Sequence, residues 1–217
     1  DLKGKKVLIT AGPTYEKIDP VRFIGNYSSG KMGYALAEEC ASRGAEVILV
    51  SGPVTLKEHH PNIRRIDVES AEEMYEEARR AYTDADAGIL CAAVADFTPD
   101  HTADHKIKRG KDGMTIQLKP TKDIAASLGA TKKEGQVLVG FALETNDEQQ
   151  NAKGKLERKN FDFIVLNSLN DKGAGFRVDT NKISIIDRQD TTSYPLKNKS
   201  EVAKDIIDRL VQTLNKN

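Results

Sequence analysis

KVLITA, residues 6–11, is the stretch whose reading decides the fold. Val7, Leu8 and Ile9 stand in a row with no polar alternation, so a strand made from them has both faces covered, as in the interior of a parallel sheet. Working outward, residues 30–43 (GKMGYALAEECASR) read as a helix in which Met32, Leu36 and Cys40 share a face. EVILV at 46–50 is a second strand and residues 63–68 a third, followed by a helix over 71–82. DAGILCAA (86–93), QVLVGFA (136–142) and FDFIVL (161–166) are further strands, with a helix over 147–160 before the last and a closing helix over 200–214. Apolar strands alternating with helices predict an α/β fold: a doubly wound, mostly parallel, Rossmann-like sheet with right-handed crossovers.

Two stretches interrupt the alternation. Residues 96–113 are polar, carry Pro99, Gly110 and Gly113, and are longer than an ordinary connection, which predicts an inserted arm or lid. Residues 167–192 contain Gly173, Gly175 and the pattern KISIID, which predicts a short hairpin near the carboxyl terminus. Residues 1–217 read as one domain carrying the arm. The first residues, DLKGK, include no Met, and the chain is expected to be a piece of something longer.

The charge balance, 33 basic against 33 acidic residues, argues against a nucleic-acid or membrane partner held by bulk charge. No apolar run approaches the roughly 20 residues that span a bilayer, and no signal peptide is recognisable. Cys40 and Cys91 both sit in apolar stretches and read as buried thiols of a cytoplasmic protein. His101 and His105 have the spacing of a helical zinc pair, but Pro99 and Asp100 argue against a helix and no further ligand completes the set with them or with His59 and His60.

Ligands of open parallel sheets bind beyond the carboxyl ends of the strands. After the first strand comes AGPT (11–14), with Gly12 placed for a tight turn. The dinucleotide fingerprint G-x-G-x-x-G is absent, and the second strand ends Val50-Ser51-Gly52 with no acid for a ribose. Residues 25–31 match G-x-x-x-x-G-K, but Met32 replaces the metal-binding hydroxyl of a P-loop and no long strand precedes it. What remains is a small-residue turn, Ser28-Ser29-Gly30, leading into a helix whose amides and positive end suit an anion, or whose serines simply cap it. CAAVAD (91–96) ends a central strand in residues small enough for a flat ring or sugar to approach, with Asp96 able to accept from hydroxyls or help hold a metal. KIKR (106–109) lies in the arm, and Lys155 and Lys159 are one helical turn apart.

In order, ITAGPT (9–14), DPVR (19–22), residues 26–33, AAVAD (92–96), KIK (106–108) and GFALETN (140–146) resemble phosphopantothenoylcysteine synthetase, the ligase half of a bifunctional bacterial flavoprotein whose other half is a decarboxylase. The resemblance covers essentially the whole chain. It implies a reaction in two steps: the carboxylate of 4'-phosphopantothenate attacks the α-phosphate of CTP and releases pyrophosphate, and the amine of L-cysteine then attacks the acyl-cytidylate, giving the amide and CMP. Both nucleophiles belong to substrates, so the protein aligns and stabilises, and no triad is required.

By the same resemblance Asn26 serves the second step, and Lys106 the triphosphate and its transition state. The position of the family's last motif lysine is Arg109 here, a fork in place of a point charge. Gly12, Ser28, Ser29, Gly30, Cys91, Ala92, Lys122, Asp123, Ile124 and Ala125 are assigned to the nucleotide. Asp96 is assigned to the ribose and to Mg2+, Phe141 to packing on the nucleotide, and Lys155 and Lys159 to the cytosine. The Asp19-to-Arg22 segment is a candidate for the pantoyl end. The family also implies a homodimer in which the lysine arm serves a shared site, and neither FMN nor decarboxylation in this chain. The rival readings are a short NAD(P)H reductase and a nucleotide-binding domain without catalysis.

Overall fold

A computed structural model describes residues 1–144, 147–168 and 178–216. From β1 (Lys6–Ala11) the chain passes through a short ribbon, β2 (Glu16–Lys17) against β3 (Phe23–Ile24), into α1 (Lys31–Ser42). Then come β4 (Glu46–Ser51), β5 (Ile63–Asp67), α2 (Ala71–Tyr82) and β6 (Ala87–Leu90). β7 (Phe97–Pro99) and β8 (Leu118–Pro120) pair as a second ribbon, followed by α3 (Ile124–Thr131), β9 (Val137–Glu144), α4 (Glu148–Arg158) and β10 (Phe163–Ser168). The last part comprises β11 (Thr180–Asn181), β12 (Ile183–Ile186), β13 (Thr191–Ser193), β14 (Lys197–Asn198) and α5 (Lys199–Leu214).

The main sheet runs β13-β12-β10-β9-β6-β1-β4-β5. Its six parallel strands, numbered along the chain, lie in the order 3-2-1-4-5-6, so the winding reverses between β1 and β6. α1 and α5 cover one face and α2, α3 and α4 the other. Successive residues therefore enter opposite cores: Val7 and Ile9 pack toward α1 and α5, Leu8 toward α2, and the same split divides Val47 and Leu49 from Ile48 and Val50. That two-sided burial is what removes polar alternation from the strands.

α2 begins as its sequence dictates: Ser70 accepts from the Glu73 amide at 3.2 Å, and the Glu73 carboxylate accepts from the Glu69 amide at 2.7 Å. Such a cap contributes about 1 kcal/mol. Among the described residues no helix is long and apolar enough to cross a membrane.

The structure adds detail at four points. The strand expected over 86–93 ends at Leu90, beyond which the chain bends over the end of β1, with the Ala93 amide donating to the Gly12 carbonyl at 2.9 Å. The arm is longer than 96–113, because Phe97 pairs with Pro120 and Pro99 with Leu118, closing a ribbon whose tip spans 101–117. The KISIID hairpin, β12 with β13, joins the main sheet on the β10 edge. α3 is a helix the sequence pattern did not announce. Thr145 and Asn146, which end the GFALETN stretch, and residues 169–177 with Gly173 and Gly175 lie outside the described residues.

Candidate functional site

The reversal between β1 and β6 opens a crevice at the carboxyl ends of the sheet, and the sequence there keeps the backbone close. Gly33 lets α1 settle on β1, since a Cβ on it would stand 2.5 Å from the Ala11 Cβ. Gly30, the N-cap of α1, has φ 77°, a left-handed value that glycine adopts without strain. No side chain caps α1; the Ser28 hydroxyl instead accepts from the Gly30 amide at 3.3 Å. The positive end of a twelve-residue helix therefore faces the crevice. Gly12, with φ 78°, is buried beside Gly30 and shapes the turn that follows β1.

Asn26 joins the two sides of the crevice. Its Nδ2 donates to the Ala93 carbonyl at 2.6 Å and its Oδ1 accepts from the Ser28 amide at 3.0 Å. An amide nitrogen carries two hydrogens, and this arrangement commits one of them.

Two cavities share the wall made by Ala92, Ala93, Phe141 and Leu143. The larger, about 530 Å³, is the size of an ordinary small-molecule site. Its lining includes Ala92, Asp96, Lys122, Asp123, Ile124, Ala125, Phe141, Lys155 and Lys159, together with Phe161. Residues 122–125 enter as the start of α3, with the Asp123 carboxylate accepting from the Ala126 amide at 2.9 Å and pairing with Lys159 at 3.0 Å. The Lys122 ammonium is turned to Glu72 at 2.6 Å, leaving its backbone for the cavity. The smaller cavity, about 140 Å³, is walled in part by Ser28, Ser29, Gly30 and Cys91. Burial pushes the Cys91 thiol up to about 12, so it stays a neutral wall and not a nucleophile. Asn167, Asn181 and Lys199, which sequence reasoning did not single out, also line it. Burial, reinforced by Lys31, lowers the pKa of Lys199.

Lys106 is exposed and lines neither cavity of its own chain. The arm is docked at the next residue: the Ile107 amide donates to Asp19 Oδ2 at 3.1 Å, and Arg22 donates to the Ile107 carbonyl at 2.7 Å. The Asp19 carboxyl is fully buried and also accepts from the Val21 and Arg22 amides and the Arg22 guanidinium, which holds its pKa far below the usual carboxylate range. Asp19 is thus committed to the arm and not available to a pantoyl end. Because its pKa is depressed, the clamp persists through mild acid and is lost only as pH falls through that lowered value. We expect Asp19→Asn to release the arm, seen as several-fold faster tryptic cleavage after Lys106, Lys108 or Arg109 in limited proteolysis with the core intact. Unchanged cleavage would show that the arm is held elsewhere.

Among the described residues no three His, Cys, Asp or Glu side chains gather as a metal site. Asp96 is exposed on the wall of the larger cavity and among the described residues forms no salt bridge, whereas Asp123 there pairs with Lys159. One such carboxylate fits a Mg2+ carried by phosphates, which usually takes one or two protein carboxylates.

Residues 2–214 match the family described as the DNA/pantothenate metabolism flavoprotein C-terminal domain. The chain is 59% identical over 211 residues to a cysteine/cysteine sulfinic acid decarboxylase from an unknown prokaryotic organism, covering 97% of this chain and 59% of that protein. It is 49% identical over 210 residues to the coenzyme A biosynthesis bifunctional protein CoaBC of Bacillus subtilis (strain 168), covering 96% of this chain and 52% of that protein. The chain therefore spans little more than half the length of these curated relatives. The solved C-terminal domain of a coenzyme A biosynthesis bifunctional protein CoaBC superposes with a TM-score of 0.84 at 40% identity, covering 99% of this chain and 98% of that one.

Proposed function

The chain belongs to the DNA/pantothenate metabolism flavoprotein C-terminal domain family, and on that premise we propose that it is a phosphopantothenate–cysteine ligase domain of coenzyme A biosynthesis. It activates the 4'-phosphopantothenate carboxylate with CTP and then joins it to L-cysteine, with residues 1–217 acting as one domain. The observation that carries this reading is the larger cavity. Nine of the fifteen residues assigned to CTP through the resemblance line it, although they come from the loop after β6, the start of α3, β9 and the end of α4.

In this reading the cytosine lies near Lys155 and the start of α3, where base edges meet fixed donors and acceptors. A wrong base would leave a buried polar group unpaired, at about 1–3 kcal/mol each. Asp96 accepts from the ribose. The phosphates reach toward Ser28, Ser29 and Gly30, where the α1 amides and positive helix end favour negative charge. Mg2+, held by the phosphates and Asp96, would supply charge neutralisation. The first step joins the carboxylate oxygen to the α-phosphorus as a mixed acyl–phosphate anhydride while the bond from that phosphorus to pyrophosphate breaks; the second forms the carbon–nitrogen bond as the carbon–oxygen bond to CMP breaks. The protein works as a homodimer in the cytoplasm, with decarboxylation and FMN assigned to other parts of the longer relatives.

Mass-spectrometric detection of acyl-cytidylate from CTP and 4'-phosphopantothenate without cysteine tests the reading. We expect the intermediate with stoichiometric pyrophosphate. CTP bound without pyrophosphate release would leave a nucleotide-binding domain, and NAD(P)H turnover would mark a reductase.

A further inference from the structure

We propose that Asn160, in the turn that closes α4, is a positioning residue for base selection: it fixes where the Lys159 ammonium stands, and so how strongly the site prefers a cytosine over a uracil nucleotide. The inference rests on the ligase reading, which gives Lys159 to the base, and adds to it what holds that lysine and what the holding achieves.

Asn160 has φ 52°, a left-handed value uncommon outside glycine. It follows the C-cap of α4, and the helix closes around it: the Asn160 amide donates to the Glu157 carbonyl at 3.2 Å and the Phe161 amide to the Leu156 carbonyl at 3.0 Å. Glycine suits that position best on backbone grounds, so closing the helix does not account for an asparagine. What the side chain adds is a bridge to α3. Its Nδ2 donates to the Gly129 carbonyl at 3.0 Å, while its Oδ1 meets Arg188 Nη2 at 3.4 Å. Lys132, the C-cap of α3, fastens the same turn, donating to the Asn160 carbonyl at 2.9 Å and pairing with Asp162 at 3.0 Å.

Close packing leaves the turn no slack. A Cβ on Gly129 would stand 2.0 Å from the Lys159 carbonyl oxygen, and one on Gly140 of β9 would stand 2.3 Å from the Phe161 ring. The turn is therefore wedged between α3 and β9, and both Lys159 and Phe161 line the larger cavity. The Lys159 side chain leaves this fixed backbone and its ammonium meets Asp123, the N-cap of α3, at 3.0 Å. One helix thus holds the lysine at both ends, the backbone from its last turn and the charge from its cap.

The chemistry of the bases says what such holding achieves. An ammonium on a free four-carbon stem turns its three donors to any acceptor. O2 is an acceptor in cytosine and uracil alike, so a lysine that reaches O2 does not separate them. N3 is an acceptor in cytosine and carries a hydrogen in uracil. A lysine kept in place at N3 favours cytosine and sets two donors against each other in uracil.

Asn160→Gly keeps the left-handed backbone and removes the bridge, so α4 still closes and the Tm should stay near that of the unmodified chain. Calorimetric titrations with CTP and with UTP read the result without turnover. We expect the Kd for CTP to rise about fivefold, the factor that one net hydrogen bond contributes, and the Kd for UTP to change little, so that the preference for CTP narrows. Asn160→Asp, which tolerates the same φ and lacks the donor, repeats the measurement in case the first variant folds poorly. A turn that only closes the helix predicts equal changes for the two nucleotides, or none. Either result in both variants overturns the inference, as does equal affinity of the unmodified chain for CTP and UTP. Failure of the unmodified chain to bind CTP overturns the ligase reading and the inference together. CTP bound without pyrophosphate release on adding 4'-phosphopantothenate overturns the ligase reading alone, and the same titrations still decide the role of Asn160.

Discussion

Asn26→Asp is expected to slow the second step about 100-fold while the first step continues, so that acyl-cytidylate accumulates; the figure is that of losing one preorganised donor to a developing oxyanion. The geometry explains why this nearly isosteric change is severe. In Asn26 one hydrogen of Nδ2 is spent on the Ala93 carbonyl at 2.6 Å, which leaves the second for an acyl oxygen. Aspartate keeps the oxygen that accepts from the Ser28 amide, so the turn retains one anchor. It loses both donated hydrogens and sets a carboxylate oxygen against a carbonyl oxygen at hydrogen-bond distance. Rapid-quench assays that resolve pyrophosphate release from amide formation test this directly. Equal slowing of both steps would reduce Asn26 to a strut between the Ser28 turn and the end of β6.

The parts of this arrangement legible in the sequence are those governed by local physics. β1 is legible to the residue because two-sided burial removes polar alternation from KVLITA, and α2 falls over the expected 71–82. The crevice followed from the winding alone. α3 escaped notice because IAASLGAT is short and made largely of small residues, so it carries little periodic signal; the Asp123 cap ahead of an apolar run was the available clue. The turn at Gly12 is legible because a glycine directly after a buried strand permits a left-handed residue there, and its φ is 78°. Asn167, Asn181 and Lys199 had no signal at all. They come from β10, β11 and the first turn of α5, and what they share is the wall of one chamber, a property of the fold and not of any window of sequence.

The arm poses the sharper test. Lys106→Gln is expected to lower the rate of pyrophosphate release by roughly 100- to 1,000-fold, the range for removing one preorganised charge stabiliser. The KM for cysteine should change little, because the lost contact belongs to the triphosphate. Lys106→Arg keeps the charge as a planar fork and should restore part of the rate. Yet Lys106 lines neither cavity of its own chain, and the clamp of Asp19 and Arg22 on Ile107 holds the neighbouring residue away from both. If the arm instead reaches the crevice of a second copy, each site draws Asn26 from one chain and Lys106 from the other. Lys106→Gln and Asn26→Asp chains, each nearly inactive, would then rebuild one intact site in every mixed dimer. Random mixing in equal amounts makes half of the dimers mixed, so about a quarter of the original sites return in a two-fold assembly. An arm that serves its own chain predicts no recovery at any ratio, because every site would still lack one of the two residues.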